Sequence, residues 1–399
     1  MLAVASVSLL LGGLRVGAQS VPAAQSPKPT PPPARGPSFD QIAKKAAEAK
    51  EAGQFDDAIQ YYQQALGMKP AWIEGHWALG TLLYDLDRYP EARDHFRRVA
   101  QAQPKNGLTL ALKGLCEFQL KNHERALADL QAARELGIAS PEVMAVASYD
   151  AAALLNRFER YEAAFDILRE FAQQGRDSQG VIEAFGLSVL RMPLLPTEAP
   201  AEKREMILMA GRAGFHQAKA RSSAIGRQAF EELVSRYPTA PNVHYAFGAY
   251  LLAEEPDAAL EEFRRELRGS PNHHHAMLQI AYELMKEGKF GDAQPMAEKA
   301  VELAPNLFAA RNAMGRILLE TGDTERAIRE LEVGVKLAPD SPEMRFSLAR
   351  AYTKAGRTED AARERGEFLK LDRVRRTARS GPQSVGGKDA PAEPPPEKD

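Results

Sequence analysis

Apolar residues recur at intervals of three and four along most of the chain, a pattern that predicts amphipathic α-helices and not strands. Each apolar run lasts about a dozen residues before a glycine or a polar pair interrupts it, so the predicted helices are short. We therefore expect an all-α protein made of consecutive antiparallel helix pairs, with essentially no strand between Phe39 and Arg379.

Small residues and prolines repeat every 34 residues, in one register within each half of the chain. In the C-terminal half the series are Ala281, Gly315 and Ala349; Gly288, Gly322 and Gly356; Ala293, Ala327 and Ala361; and Pro305 and Pro339. In the N-terminal half they are Ala46, Gly80 and Gly114; Ala58, Ala92 and Ala126; Tyr62, Phe96 and Leu130; and Pro70 and Pro104. A constant period of this length is typical of a repeat array in which each unit stacks on its neighbours.

The register places Gly or Ala at the eighth position of a unit, Ala at the twentieth and Pro near the thirty-second. This pattern resembles the tetratricopeptide repeat family and covers roughly residues 39 to 375. The family favours a tryptophan early in the unit, and this chain has His76, Leu110 or Arg311 at that position instead. The resemblance implies an α-solenoid, a right-handed superhelix of antiparallel helix pairs.

The period divides the chain into two blocks of units. The first block, 39–178, is predicted to hold units at 39–72, 73–106, 107–140 and, in degenerate form, 145–178. The second block, 207–379, is predicted to hold a poor unit at 207–240, then 241–273, 274–307, 308–341 and 342–375. It is expected to end in a polar capping helix with basic residues suited to a helix C-terminus, namely Lys370, Arg373, Arg375, Arg376 and Arg379.

Residues 179–206 fit no unit and are predicted to form an insert between the blocks. They offer a short helix around Val181 to Arg191 and then an apolar loop bounded by Pro193 and Pro196. Either a hinge or a packing segment is compatible with this composition.

The N-terminal segment is predicted to be a signal peptide, residues 1–18. The apolar run from Leu2 to Leu14 is too short for a bilayer, which needs about 20 residues, and small residues precede a cleavage site after Ala18. The expected location is secreted or periplasmic. Because no Lys or Arg precedes the run, an uncleaved membrane anchor is the alternative. A proline-rich disordered linker at 19–38 and a disordered tail at 380–399 are also predicted.

Charge and candidate chemistry argue against several function classes. With 52 basic and 54 acidic residues, the chain has no net field to attract nucleic acid. Cys116 is expected to be a buried structural thiol. His273, His274 and His275 are adjacent on a predicted helix, so their side chains diverge by about 100° and are not expected to share a metal ion.

The repeats contain no phosphate-binding loop, no paired-carboxylate signature and no nucleophile elbow. We therefore expect no cofactor and no enzymatic activity.

The resemblance implies that the first helix of each unit lines a groove for partner peptides, with positions two, five, nine and twelve facing inward. In the first block these positions give an apolar, aromatic wall of Trp77, Thr81, Tyr84, Leu108, Leu115, Phe118 and Tyr149. In the second block the same positions give a wall of apolar, polar and cationic residues that is suited to binding a carboxylate. These residues are Tyr245, Leu278, Tyr282, Met285, Asn312, Arg316, Leu319, Phe346 and Arg350. Trp77, Tyr84 and Phe118 are expected to form an exposed aromatic row that carries much of the affinity.

The sequence thus predicts a non-enzymatic protein-protein interaction scaffold, within an exported envelope, secretion or assembly system. Its partners are expected to be proteins or peptides, with membrane contact only if the N-terminal segment stays uncleaved. The Lys and Asn clamp by which some members of the family grip a C-terminal carboxylate is missing from both blocks. The alternative is a ligand- or metal-binding receptor with a pocket at the 179–206 insert.

Overall fold

The protein is helical throughout the residues that its structure, a computed structural model, describes: 36–219 and 224–380. These residues form two short 3-10 helices and 19 α-helices and no β-strand. The first ten α-helices are α1 Phe39–Glu51, α2 Phe55–Met68, α3 Ile73–Asp85, α4 Tyr89–Ala102, α5 Gly107–Gln119, α6 His123–Leu136, α7 Pro141–Arg157, α8 Tyr161–Gln173, α9 Gln179–Val189 and α10 Arg204–Lys219. The others are α11 Ala224–Arg236, α12 Val243–Leu251, α13 Pro256–Gly269, α14 His274–Lys286, α15 Phe290–Leu303, α16 Phe308–Thr321, α17 Thr324–Leu337, α18 Pro342–Lys354 and α19 Thr358–Ser380. The all-α prediction is confirmed.

The predicted signal peptide, the linker up to residue 35 and the tail from residue 381 lie outside the described residues.

The chain forms two compact units, one up to Leu233 and one from Val234. In the first unit, consecutive hairpins pair α1 with α2, α3 with α4, α5 with α6, α7 with α8 and α9 with α10. In the second, α12 pairs with α13, α14 with α15, α16 with α17 and α18 with α19. Within each unit, successive hairpins pack on one another, which is the arrangement of an α-solenoid.

The small residue at the eighth position is explained by the crossing of the two helices within a hairpin. A Cβ atom on Gly80 would lie 3.0 Å from the Phe96 ring, and one on Gly315 would lie 2.4 Å from Cγ of Leu331. Both opposing side chains are fully buried. The glycines therefore set how closely the paired helices approach.

A polar contact recurs at the fourth position of the unit, where a His or Arg takes the place of the family's tryptophan. Four hairpins use a His or Arg there, which contacts the carbonyl of the proline six residues earlier and a side chain on the second helix. The sets are His76 with Pro70 and His95; His244 with Pro238 and Glu262; Arg311 with Pro305 and Glu330; and Arg345 with Pro339 and Glu364. Each contact ties the end of one repeat to both helices of the next.

The His76–His95 pair differs from the other three contacts because neither of its side chains is a carboxylate. Their Nδ1 atoms lie 2.8 Å apart, so one ring donates and the other accepts. Burial and the neighbouring His76 lower the pKa of His95 to about 4, which leaves His95 neutral at pH 7.

The helix pairing differs from the predicted units around the insert. α9 pairs with α10, although 179–206 was expected to lie outside the repeats. A Cβ atom on Gly186 would lie 2.0 Å from the Ile207 carbonyl oxygen, and one on Gly211 would lie 1.9 Å from that of Ile182. The two backbones thus approach as only glycine permits. α7 also begins at Pro141, not at 145, and is 17 residues long.

The basic residues of the expected capping helix lie on α19 itself, a 23-residue helix that is also the second helix of the last hairpin. Arg375 contacts Glu343 of α18, and Lys370 pairs with Glu367 at 2.6 Å.

Candidate functional site

The aromatic side chains predicted to form an exposed row in the first unit are partly buried and pack on their own hairpins. The Trp77 ring lies 5.8 Å from that of Phe96, and Phe118 lies 6.1 Å from His123. Tyr84 packs at 5.7 Å on Tyr89, and burial raises its pKa. All three belong to the border of the core, so the expected exposed row is not present. The face they share keeps only part of each ring accessible.

The other predicted residues of this wall are also largely packed. Leu115 is 3% exposed and lies within the core, so it is not accessible to a partner. Leu108 and Tyr149 are partly buried against hydrophobic clusters. The Thr81 hydroxyl donates to the carbonyl of Ala78 at 2.9 Å and lies 3.4 Å from Nζ of Lys50.

In the second unit, five predicted groove residues are corrected by their burial: Tyr245, Leu278, Met285, Asn312 and Leu319. Tyr245 is 7% exposed and lies between the rings of Phe263 and His273, with centroids 5.6 and 4.8 Å away. Asn312 is 9% exposed, and its Oδ1 has no hydrogen-bond partner among the described residues. Position five therefore packs between neighbouring helices at Tyr245, Leu278 and Asn312, whereas Phe346 at the same position is exposed.

Position nine behaves differently in the second unit and forms what we call the position-nine row: Tyr282, Arg316 and Arg350. These three lie on the first helices α14, α16 and α18 of successive hairpins and line one cavity of about 350 Å³. The volume lies within the range of ligand sites, about 300–1,000 Å³. The sequence analysis assigned each of these three side chains to the groove, and their role in partner binding stays a prediction.

Both apolar and polar side chains line the cavity. Leu252, Met285 and Phe290 are apolar, whereas the polar and charged lining residues include Gln279, Glu283 and Lys286 on α14, Glu320 on α16 and Arg350 on α18. A ligand that fills the cavity would therefore need an apolar and a polar part.

Most charges around the cavity are already paired. Lys286 lies 2.6 Å from Glu283, and Arg350 lies 3.1 Å from Glu320. Arg316, which is partly buried, makes no ion pair or hydrogen bond within the described part of the chain. It is the charge that the fold itself leaves uncompensated.

Hydrogen bonding within the row orients Tyr282. Its hydroxyl donates to the carbonyl of Ala309 at 3.0 Å, so its oxygen remains available as an acceptor. Phe346 is 50% exposed and packs 5.5 Å from Phe368, but it does not line the cavity.

The candidate chemistry elsewhere has structural explanations. Burial raises the pKa of Cys116 to about 12, so its thiol is protonated at pH 7. His273 caps α14, because its Nδ1 accepts from the backbone N–H of Ala276 at 3.0 Å. Across residues 36–219 and 224–380, no three His, Cys, Asp or Glu side chains are grouped as metal ligands. A second cavity, of about 180 Å³, is lined by α7, α8 and the residues just after them, not by 179–206.

Comparison with known proteins agrees with the repeat architecture. Family models described as tetratricopeptide repeat match residues 44–107, 77–141 and 284–345. No curated protein matches the chain.

Solved structures with similarity to this chain include MamA from Desulfovibrio magneticus RS-1, at 21% identity over 38% of this chain and 86% of that chain, with a TM-score of 0.35. A double mutant of MamA RS-1 gives 20% identity, 43% and 96% coverage and a TM-score of 0.39. Yeast Tom70 gives 14% identity, 84% and 85% coverage and a TM-score of 0.35. The 34-residue period, the stacked helical hairpins and the family matches in both units together make this chain a tetratricopeptide repeat protein.

Proposed function

We propose that this protein is a non-enzymatic scaffold that binds partner polypeptides along its first helices, with the position-nine row of the second unit at the centre of the site. The observation that carries the proposal is the shared cavity of Tyr282, Arg316 and Arg350. Stacked repeats present the same position of successive hairpins side by side, so an extended chain can contact one hairpin after another.

The composition of this cavity suits a polypeptide ligand. Tyr and Arg are over-represented among residues whose truncation weakens protein binding most, and both are present in the row. The phenol and the guanidinium offer an acceptor and donors to a peptide main chain, while Leu252 and Phe290 offer contact to apolar side chains. In the first unit, the accessible edges of Trp77 and Tyr84 are a secondary contact surface under this proposal.

A photo-crosslinking experiment tests the site in the full chain. A photoreactive amino acid would replace Arg350 on α18, and in a control chain it would replace Arg329, which is exposed on the second helix α17. Expression in the source cells followed by irradiation and mass spectrometry should yield polypeptide adducts from position 350 and few from position 329. Equal adducts at both positions, or none at position 350, would contradict the proposed site.

We further propose that the protein is exported and acts in an envelope, secretion or assembly system. The apolar run from Leu2 to Leu14 and the small residues before Gln19 support export. Within the described residues, no helix combines the length and the apolar character needed to cross a membrane. Mass spectrometry of the native protein should find a chain that begins at Gln19. An intact Met1 would indicate an uncleaved anchor or a protein that is not exported.

A further inference from the structure

We propose that the cavity of the second unit binds one carboxylate, carried by an acidic side chain within an extended partner segment, and that Arg316 is the residue that contacts this carboxylate. This inference rests on the proposed function and adds to it the chemistry of the partner.

Arg316 carries a positive charge that has no ion-pair partner among the described residues. A guanidinium stays protonated under all ordinary conditions, and a charge that is partly buried without a partner is costly. Every other cation lining the cavity has a carboxylate within 3.1 Å, Lys286 through Glu283 and Arg350 through Glu320. The fold thus leaves one positive charge in the cavity uncompensated, and an anion that enters would compensate it.

The surrounding charges select a monoanion. Because Glu283 pairs with Lys286 and Glu320 pairs with Arg350, the net charge of the cavity lining is that of the Arg316 guanidinium alone, and one negative charge neutralises it. A carboxylate carries a single charge, and its two oxygens match the planar donors of the guanidinium in a bidentate contact. A phosphate group would need a second free cation.

The apolar side chains of the cavity indicate what accompanies the carboxylate. Met285 lies on α14 and Phe290 begins α15, and these two helices form the hairpin that precedes the one with Arg316 on α16. Neighbouring helices pack about 8–10 Å apart, a distance that about three residues of extended chain span. The expected ligand is an extended segment in which an apolar residue and an acidic residue are about three positions apart.

The probe for this inference is a library of random decapeptides displayed between flexible Gly-Ser segments, so that no chain terminus reaches the cavity. The best peptide selected by the full chain would then be synthesised with blocked ends in two forms, one with its acidic residue and one with the matching amide. Fluorescence anisotropy would measure both dissociation constants against the parent chain and the variants Arg316→Gln, Arg316→Lys and Arg326→Gln. Arg326 belongs to the same repeat, but it lies on the second helix α17 and pairs with Glu298 on the second helix α15. The Arg326→Gln variant therefore loses the same charge away from the cavity and serves as the control.

A charge-assisted hydrogen bond contributes about tenfold or more to affinity. The parent chain and Arg326→Gln should therefore bind the acidic peptide at least about tenfold more tightly than the amide. Arg316→Gln should bind both forms within about twofold, and Arg316→Lys should restore part of the preference because it keeps the charge.

Equal binding of the acidic and amide peptides by the parent chain, or a preference retained in Arg316→Gln, would overturn the inference while leaving the scaffold function intact. A library from which the chain selects no peptide would overturn both.

Discussion

The close crossing of α16 and α17 leads to a stability prediction for Gly315→Ala. The new methyl group would lie 2.4 Å from Cγ and 2.7 Å from Cδ2 of Leu331, which is fully buried on α17. An ordinary contact begins at 3.4 Å, so a branch atom of Leu331 must move by about 1 Å. Rotation about χ2 of Leu331 leaves Cγ in place, and rotation about χ1 would move a fully buried side chain into its packed neighbours.

Two effects of opposite sign determine how much Gly315→Ala changes the free energy of unfolding. Alanine is favoured over glycine within a helix by about 1 kcal/mol, because glycine loses more backbone freedom on folding. Overpacking of a well-packed core typically costs about 1–3 kcal/mol, and a clash with a buried branch atom belongs to the upper end. The net effect should be a loss of about 2 kcal/mol in the free energy of unfolding.

Urea unfolding followed by circular dichroism would measure the change, with Gly366→Ala as the matched control. Gly366 lies inside α19, and a Cβ atom there would meet no heavy atom within 4 Å. The control should therefore be stabilised by about 0.5–1 kcal/mol. The same glycine-to-alanine change should thus lower the free energy of unfolding at one helical position and raise it at the other. If Gly315→Ala proved as stable as the parent chain, the close crossing would not exist in solution.

Three further predictions concern packing and protonation. Trp77→Ala should destabilise the first unit by about 2 kcal/mol, because the indole packs on Phe96, and an unchanged melting temperature would show that the ring is not part of the core. Ala327→Leu should cost about 1–3 kcal/mol, since Ala327 is fully buried, and a melting curve like that of the parent would refute the register of this repeat. Burial raises the pKa of Asp150 to about 7, so the native carboxyl retains a proton that the unfolded chain releases near pH 4, and the stability that Asp150 contributes should fall as pH rises from about 4 to 7. Asp150→Asn should abolish that fall, and urea titrations of both proteins at pH 4, 5, 6 and 7 that ran parallel would contradict the assignment.

The sequence by itself determined the helical hairpins of this protein and most of their register. Helix formation and the spacing of close-packed positions are local properties that repeat every 34 residues, as at Gly80, Gly114 and Gly315. The position-nine row of Tyr282, Arg316 and Arg350 followed from the same period. A row of side chains at one position of successive repeats can be predicted once the register is known.

Only the tertiary structure decided which groove positions remain open and which charges remain unpaired. Leu115 and Tyr245 occupy inward positions of the repeat, yet neighbouring helices bury them. The pairing of α9 with α10 depends on Gly186, whose close approach to Ile207 joins segments that have no repeat relation. Arg316 and Arg350 share one repeat position, but only Arg350 forms an ion pair, with Glu320 of the neighbouring first helix α16, and the sequence alone does not show which cation this carboxylate contacts.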